Sequence, residues 1–94
     1  MIKHVYLYKF KNRNDAEKVC EKLKTMTAHI DSIHSLEIGI DFTNTEKSYD
    51  LIQIAVFKTQ EDFKAFTEHP YHDEMRIFLK QYVQSGYKVD YRIC

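Results

Sequence analysis

An α+β fold, with an antiparallel four-stranded sheet covered on one face by helices, is the class this sequence predicts. Three observations carry that prediction. Apolar residues recur at strand spacing in four runs and at helical spacing between them. The runs follow the order strand, helix, strand, strand, helix pair, strand. The 94 residues include only two glycines and one proline, with no low-complexity tract or repeat to mark a linker. Residues 1–94 therefore read as one domain, long enough to bury a core without metal or disulfide staples.

The first strand runs from Ile2 to Phe10, where Val5, Tyr6, Leu7, Tyr8 and Phe10 crowd together without a helical period. KNRND breaks it. Asn14 then stands as the cap of a helix in which Ala16, Val19, Leu23, Met26 and Ile30 recur at three- and four-residue steps, opposite Lys18, Glu21, Lys22 and Lys24. IHSLEIGIDF alternates as a second strand, with Leu36, Ile38, Ile40 and Phe42 on its drier face and Ser35, Glu37 and Gly39 on the other. After the polar turn TNTEKS, YDLIQIAVF reads as a third, nearly continuous apolar strand.

Thr59 opens the next helix, with Asp62 three residues on and Phe63 and Phe66 pointing inward. His69 and Pro70 interrupt it: proline lacks a donor, drives its predecessor into extended geometry and suits the first position of a new helix. That new helix carries the stripe Met75, Phe78, Leu79 and Tyr82, places Asp73 and Glu74 at its positive end, and stops at QSG. YKVDYRI closes the chain as a strand in which Tyr87, Val89, Tyr91 and Ile93 alternate with Lys88, Asp90 and Arg92.

This order is the split βαβ unit of ferredoxin-like βαββαβ domains, in which the first and third strands are central. Those two strands carry apolar residues on both faces, whereas the second and fourth alternate as edges do. Helices cover only one face. The other would expose apolar surface at about 25 cal/mol per Å², so a second copy of the sheet is the expected cover, closing a dimeric α+β barrel.

Fourteen basic residues balance fourteen acidic ones, leaving no long-range field to gather nucleic acid or an anionic membrane surface. No run is long and apolar enough to span a bilayer, and the opening residues lack the features of a signal peptide. Cys20 and Cys94 lie far apart and suggest no structural disulfide, so a reducing cytoplasm is the expected compartment.

Several stretches together carry a family resemblance: KHVYLYKF in the first strand, YDLIQIAVFKTQEDFKAF through the third strand and following helix, HPYH, and VDYRI. The chain resembles the stress-responsive A/B barrel domain family, the dimeric α+β barrel proteins called Dabb, over almost its whole length. The resemblance implies a ferredoxin-like monomer whose sheet pairs with another to close a barrel. Many members have no assigned activity. A plant member is a polyketide cyclase that uses a first-strand histidine and the last histidine of an HP-x-H motif in acid/base roles, and by position these correspond to His4 and His72. That cyclase also has a tyrosine where this chain has Phe66, so a hydroxyl that can stabilise a developing oxyanion is missing here.

His4 is in phase with Ile2, Tyr6 and Tyr8 on a central strand, which turns it away from bulk water; its plainer reading is a hydrogen-bonded core histidine. A placed imidazole contributes about 10² to 10⁴ in rate as an acid or base. His72 falls in the first turn of a helix, where the dipole disfavours the protonated ring and leaves a neutral base. His69 reads as a cap. Tyr6 and Tyr71 are the candidates to line a cavity and to replace the hydroxyl absent at Phe66. His69 and His72 stand at a three-residue step with Asp73 alongside, but Pro70 lies inside the pair and no further ligand is specified, so no metal site is expected. His29 and His34 read as solvated turn residues, and Cys20 as a small buried hydrophobe.

The expected function is a dimeric barrel of unassigned activity, without cofactor, that binds an apolar or carbonyl-bearing small molecule. The alternative is a cofactor-free cyclase-like, isomerase-like or lyase-like enzyme in which His72 is the base and His4 the acid or orienting partner. A haem-degrading monooxygenase, with His72 on the iron, is a distant third reading.

Overall fold

The computed structural model describes residues Met1–Cys94. The four strand-like runs become β1 (Ile2–Phe10), β2 (Ser35–Ile40), β3 (Leu51–Phe57) and β4 (Val83–Arg92). They pair antiparallel in the order β2-β3-β1-β4. The two strands that are apolar on both faces are thus the central pair, and the alternating strands are the edges. The helices are α1 (Ala16–Lys24), α2 (Met26–His29), α3 (Gln60–Thr67) and α4 (Pro70–Lys80). This is the ferredoxin-like α+β arrangement that the order of the elements predicts.

Local chemistry sets the helix starts near the site. The Thr59 hydroxyl accepts the Asp62 N–H at 3.1 Å and caps α3. The His69 ring accepts the Tyr71 N–H at 3.0 Å, and Pro70 takes the first helical position of α4. The HP pair therefore stops one helix and starts another, which places His72 in the first turn of α4.

Three boundaries differ from the sequence reading. The first long helix begins with a 3-10 turn, Arg13–Asp15, capped by Asn12 rather than Asn14, and it breaks at Thr25 between α1 and α2. The Thr25 hydroxyl bonds the Lys22 carbonyl at 2.6 Å, a local bond that competes with helix propagation. Phe42 lies beyond the end of β2 and is 93% exposed. The chain turns there because Asp41 accepts from the Asn44 N–H at 2.7 Å and pairs with Arg13, which also holds the buried Asp50 at 2.9 Å. Residues Val83 to Gly86 belong to β4, not to the end of the last helix, since β1 is long enough to pair Phe10 with Val83 and Tyr8 with Gly86.

The faces of the sheet divide cleanly. Ile2, His4, Tyr8 and Phe10 of β1 join Leu51, Ala55 and Phe57 of β3 under the helices, where Val19, Leu23, Met26, Phe66 and Met75 complete the core. The opposite face carries Val5 and Leu7 beside Ile52, Ile54 and Val56, extended across β4 by Tyr87, 68% exposed, and Val89, 54% exposed. The core is deepest over β1 and β3, with Leu36, Ile38 and Ile40 of β2 packed partly buried at its side. Along β4 the residues on the helix side, Gly86, Lys88 and Asp90, are small or charged, and the helix layer stands off from the sheet there.

Candidate functional site

That gap is a cleft of about 630 Å³ between α3 and α4 on one side and β1 and β4 on the other. Its inner wall is the row His4, Tyr6 and Tyr8 on β1, with Gln53 of β3 behind. Strand alternation brings these side chains to one face, and the β1–β4 register sets His4 opposite Asp90, Tyr6 opposite Lys88, and Tyr8 opposite Gly86.

His4 is buried, at 7% exposure, and its Nδ1 donates a hydrogen bond to the Asp90 carboxylate. A carboxylate only accepts, so the proton on Nδ1 is fixed and Nε2 is the nitrogen free to exchange one. Nε2 has no protein partner and is not sealed off, so it opens to the cleft. Burial pushes the Asp90 carboxyl up, but hydrogen bonds from His4 and from Lys88 at 3.1 Å outweigh it and hold Asp90 below the usual carboxylate range. The pair is thus a histidine oriented by a charged carboxylate.

His72 enters the same cleft from α4. Its ring centroid lies 4.6 Å from that of Phe66, which in turn lies 5.7 Å from that of His4. Nδ1 of His72 is enclosed and makes no hydrogen bond, so Nε2 is the nitrogen that the cleft reaches. Burial lowers the His72 pKa, and the charges of Arg76 and His4 lower it further, against smaller opposing effects of Asp73 and the Thr67 carbonyl. The ring is therefore held as a neutral base at neutral pH.

Tyr6 stacks on Tyr8 at 4.4 Å, and its hydroxyl makes no hydrogen bond within the chain. Tyr8 is satisfied instead, donating to Gln53 at 3.2 Å, and burial followed by the neighbouring Tyr6 pushes its pKa up. Tyr71, expected beside the ligand, points elsewhere. Its hydroxyl bonds Thr25 at 2.5 Å and its ring stacks on His29 at 4.0 Å, because position 71 lies on the side of α4 that packs against α2. Of the expected residues, His4, His72, Tyr6 and Phe66 meet in one cleft and Tyr71 does not.

The sequence reading did not single out Asp90, although the signal was present: it alternates on β4 in phase with Lys88, and the strand order sets that row beside His4. No group of three His, Cys, Asp or Glu side chains is placed to hold a metal ion.

Comparison with known proteins places these features. The family model described as Stress responsive A/B Barrel Domain, Dabb, matches residues 2–93. The chain belongs to the Dabb family. A stress-response A/B barrel domain-containing protein of Arabidopsis thaliana is 28% identical over 79 residues, covering 77% of this chain and 68% of that one. Among solved structures, a dimeric ferredoxin-like protein of unknown function from Thermobifida fusca matches with a TM-score of 0.84 and 20% identity, over 98% of this chain and 90% of that one. The hydroxynitrile lyase of Passiflora edulis matches with a TM-score of 0.85 and 12% identity, over 99% and 93%. At these identities the solved structures establish the Dabb chain's fold. No helix in it is long and apolar enough to cross a membrane.

Proposed function

We propose that this chain is a cytoplasmic homodimeric Dabb barrel whose cleft binds a small carbonyl-bearing molecule and moves a proton on it. The observation that carries this reading is the presence of two open imidazole nitrogens, Nε2 of His4 and Nε2 of His72, in a single cleft, with His4 tied from behind to Asp90.

In this mechanism His72, neutral in its folded environment, takes a proton from the carbon beside the carbonyl. Negative charge then develops on the carbonyl oxygen. The Tyr6 hydroxyl, unpartnered within the chain, donates to that oxygen in place of the hydroxyl absent at Phe66. His4 delivers or withdraws a proton through Nε2, and the Asp90 carboxylate stabilises the charged ring and fixes its orientation. Every step uses side chains of this chain alone. A hydroxynitrile lyase built on the same fold supports a catalytic use for such a cleft.

The assembly rests on the bare apolar face of the sheet, for which a second copy is the simplest cover; the dimeric relative from Thermobifida fusca supports it. The free thiols Cys20 and Cys94 support a reducing compartment.

The activity is tested by following solvent deuterium incorporation at the α-carbon of acetylacetone and related dicarbonyls by NMR. The protein is expected to accelerate exchange, and His72→Ala to reduce the acceleration about 10²-fold or more with an unchanged circular dichroism spectrum. Equal exchange by the two proteins would remove His72 as the base.

A further inference from the structure

We infer that the cleft selects an anionic ligand, a small oxo acid whose carboxylate is held by Arg76 and Lys80 of α4. The inference rests on the reading of the cleft as a small-molecule site and adds the class of molecule it takes.

The chain as a whole is balanced, with fourteen basic and fourteen acidic residues. The cleft lining is not. It contains Arg76, Lys80 and Lys88 and no Asp or Glu. These cations come from both walls, so an anion entering the mouth meets positive charge on each side. The nearest carboxylates are already engaged: Asp90 takes hydrogen bonds from His4 and Lys88, and Asp73 pairs with Arg76 at 3.6 Å across an exposed surface. An exposed pair of that kind is weak and yields readily to a better-placed anion. Lys80 takes part in no ion pair.

The spacing along α4 then sets the shape of the ligand. His72, Arg76 and Lys80 recur every four residues on one face, so Arg76 stands about 6 Å beyond His72 along the helix axis and Lys80 about 6 Å beyond that. A carboxylate at the two cations leaves room for a short carbon chain before His72, which puts a carbonyl two or three bonds from the acid within reach of the base. Between the charged steps the same face offers Met75 and Leu79, apolar surface for the rest of the molecule. An anion at the mouth and a carbonyl at the inner end describe an oxo acid with an apolar substituent.

The test measures binding of 4-oxo-4-phenylbutanoate and of its methyl ester by titration calorimetry, to the protein and to the double variant Arg76→Gln/Lys80→Met. The acid is expected to bind the protein about tenfold more tightly than the ester. That advantage should shrink at about 0.5 M salt, where exposed charges are screened. In the double variant, both positions being exposed, the ester affinity should persist and the preference for the acid should vanish. Equal affinities in the unaltered protein would overturn the anion selectivity while leaving the cleft a small-molecule site. A preference that survives in the double variant would overturn the assignment to Arg76 and Lys80. Failure of both compounds to bind would overturn this inference and the reading of the cleft together.

Discussion

His72, in the cleft, and Asp90, behind His4, show how two ionisable side chains are set to different charge states around one site. Both titrate below their ordinary values, for different reasons: enclosure and nearby cations act on His72, and donated hydrogen bonds act on Asp90. The consequences for stability share a sign. As pH falls below the ordinary histidine value of 6.5, the unfolded chain takes up a proton that folded His72 still refuses, and stability is lost. Asp90 adds to the loss lower down, as pH falls through the ordinary carboxylate value of 3.8 toward its depressed folded value. The urea midpoint should accordingly fall on acidification from pH 7, and His72→Leu should flatten the upper part of that decline; an unchanged profile in the variant would mean that His72 is not the group responsible. Asp90→Asn should leave the fold intact and lower any proton-transfer rate by about 10² or more, because the amide can present either a donor or an acceptor and no longer fixes the His4 tautomer. Full activity in that variant would reduce Asp90 to a strand-edge partner. From sequence, the inward phase of His4 on β1 and the place of His72 in the first turn of a helix were legible, and the family resemblance is what paired them. Asp90 was not, since its role depends on which strand lies beside β1, and an alternating polar residue on an edge strand reads as solvated.

At the scale of elements, Gly86 lets β4 lie close against Tyr6 in the cleft wall. It faces Tyr8 across the β1–β4 ladder, and a Cβ built there would approach Tyr6 Cε1 to 2.5 Å and the Leu7 carbonyl oxygen to 2.9 Å. The second contact is with backbone and cannot be relieved by a rotamer change. Gly86→Ala should therefore destabilise the protein by about 1–3 kcal/mol in urea unfolding and displace the Tyr6 ring from the cleft wall. A variant as stable as the parent would show that β4 has slack at this position. The sequence suggested that this glycine ends the last helix, a natural reading of QSG after an apolar stripe. It is overridden because β1 spans nine residues and continued pairing along it draws Val83 to Gly86 into the sheet. The other element boundaries were plainer, since Thr59, His69 and Pro70 carry their capping chemistry in their own side chains. Phe42 misled for the converse reason: its alternation with Ile40 continues past the point where Asp41 is captured by Arg13.

For the whole molecule, the unequal use of the two sheet faces is what the proposed dimer rests on. Ile54 lies at the centre of the bare face, next to Val5 on one neighbouring strand and Glu37 on the other. Ile54→Lys should yield a folded single chain by light scattering where the unaltered protein gives twice that mass, with little change in circular dichroism, because the new ammonium can meet Glu37 in a monomer. A parent protein that scatters as one chain would refute the dimer. The two-faced apolar pattern of β1 and β3 made the bare face legible from sequence alone, whereas the cleft on the other side was not, being a gap left by what β4 lacks.

The His4–Asp90 hydrogen bond joins residues 86 positions apart, nearly the two ends of the chain. No local segment contains the pair: β1 supplies His4 and β4 supplies Asp90. Closing so long a loop is among the entropically dearest contacts in the domain, and the dyad exists only where β4 has paired with β1. On a ribosome, a chain of this kind acquires the His4–Asp90 contact only after β4 has emerged and paired with β1.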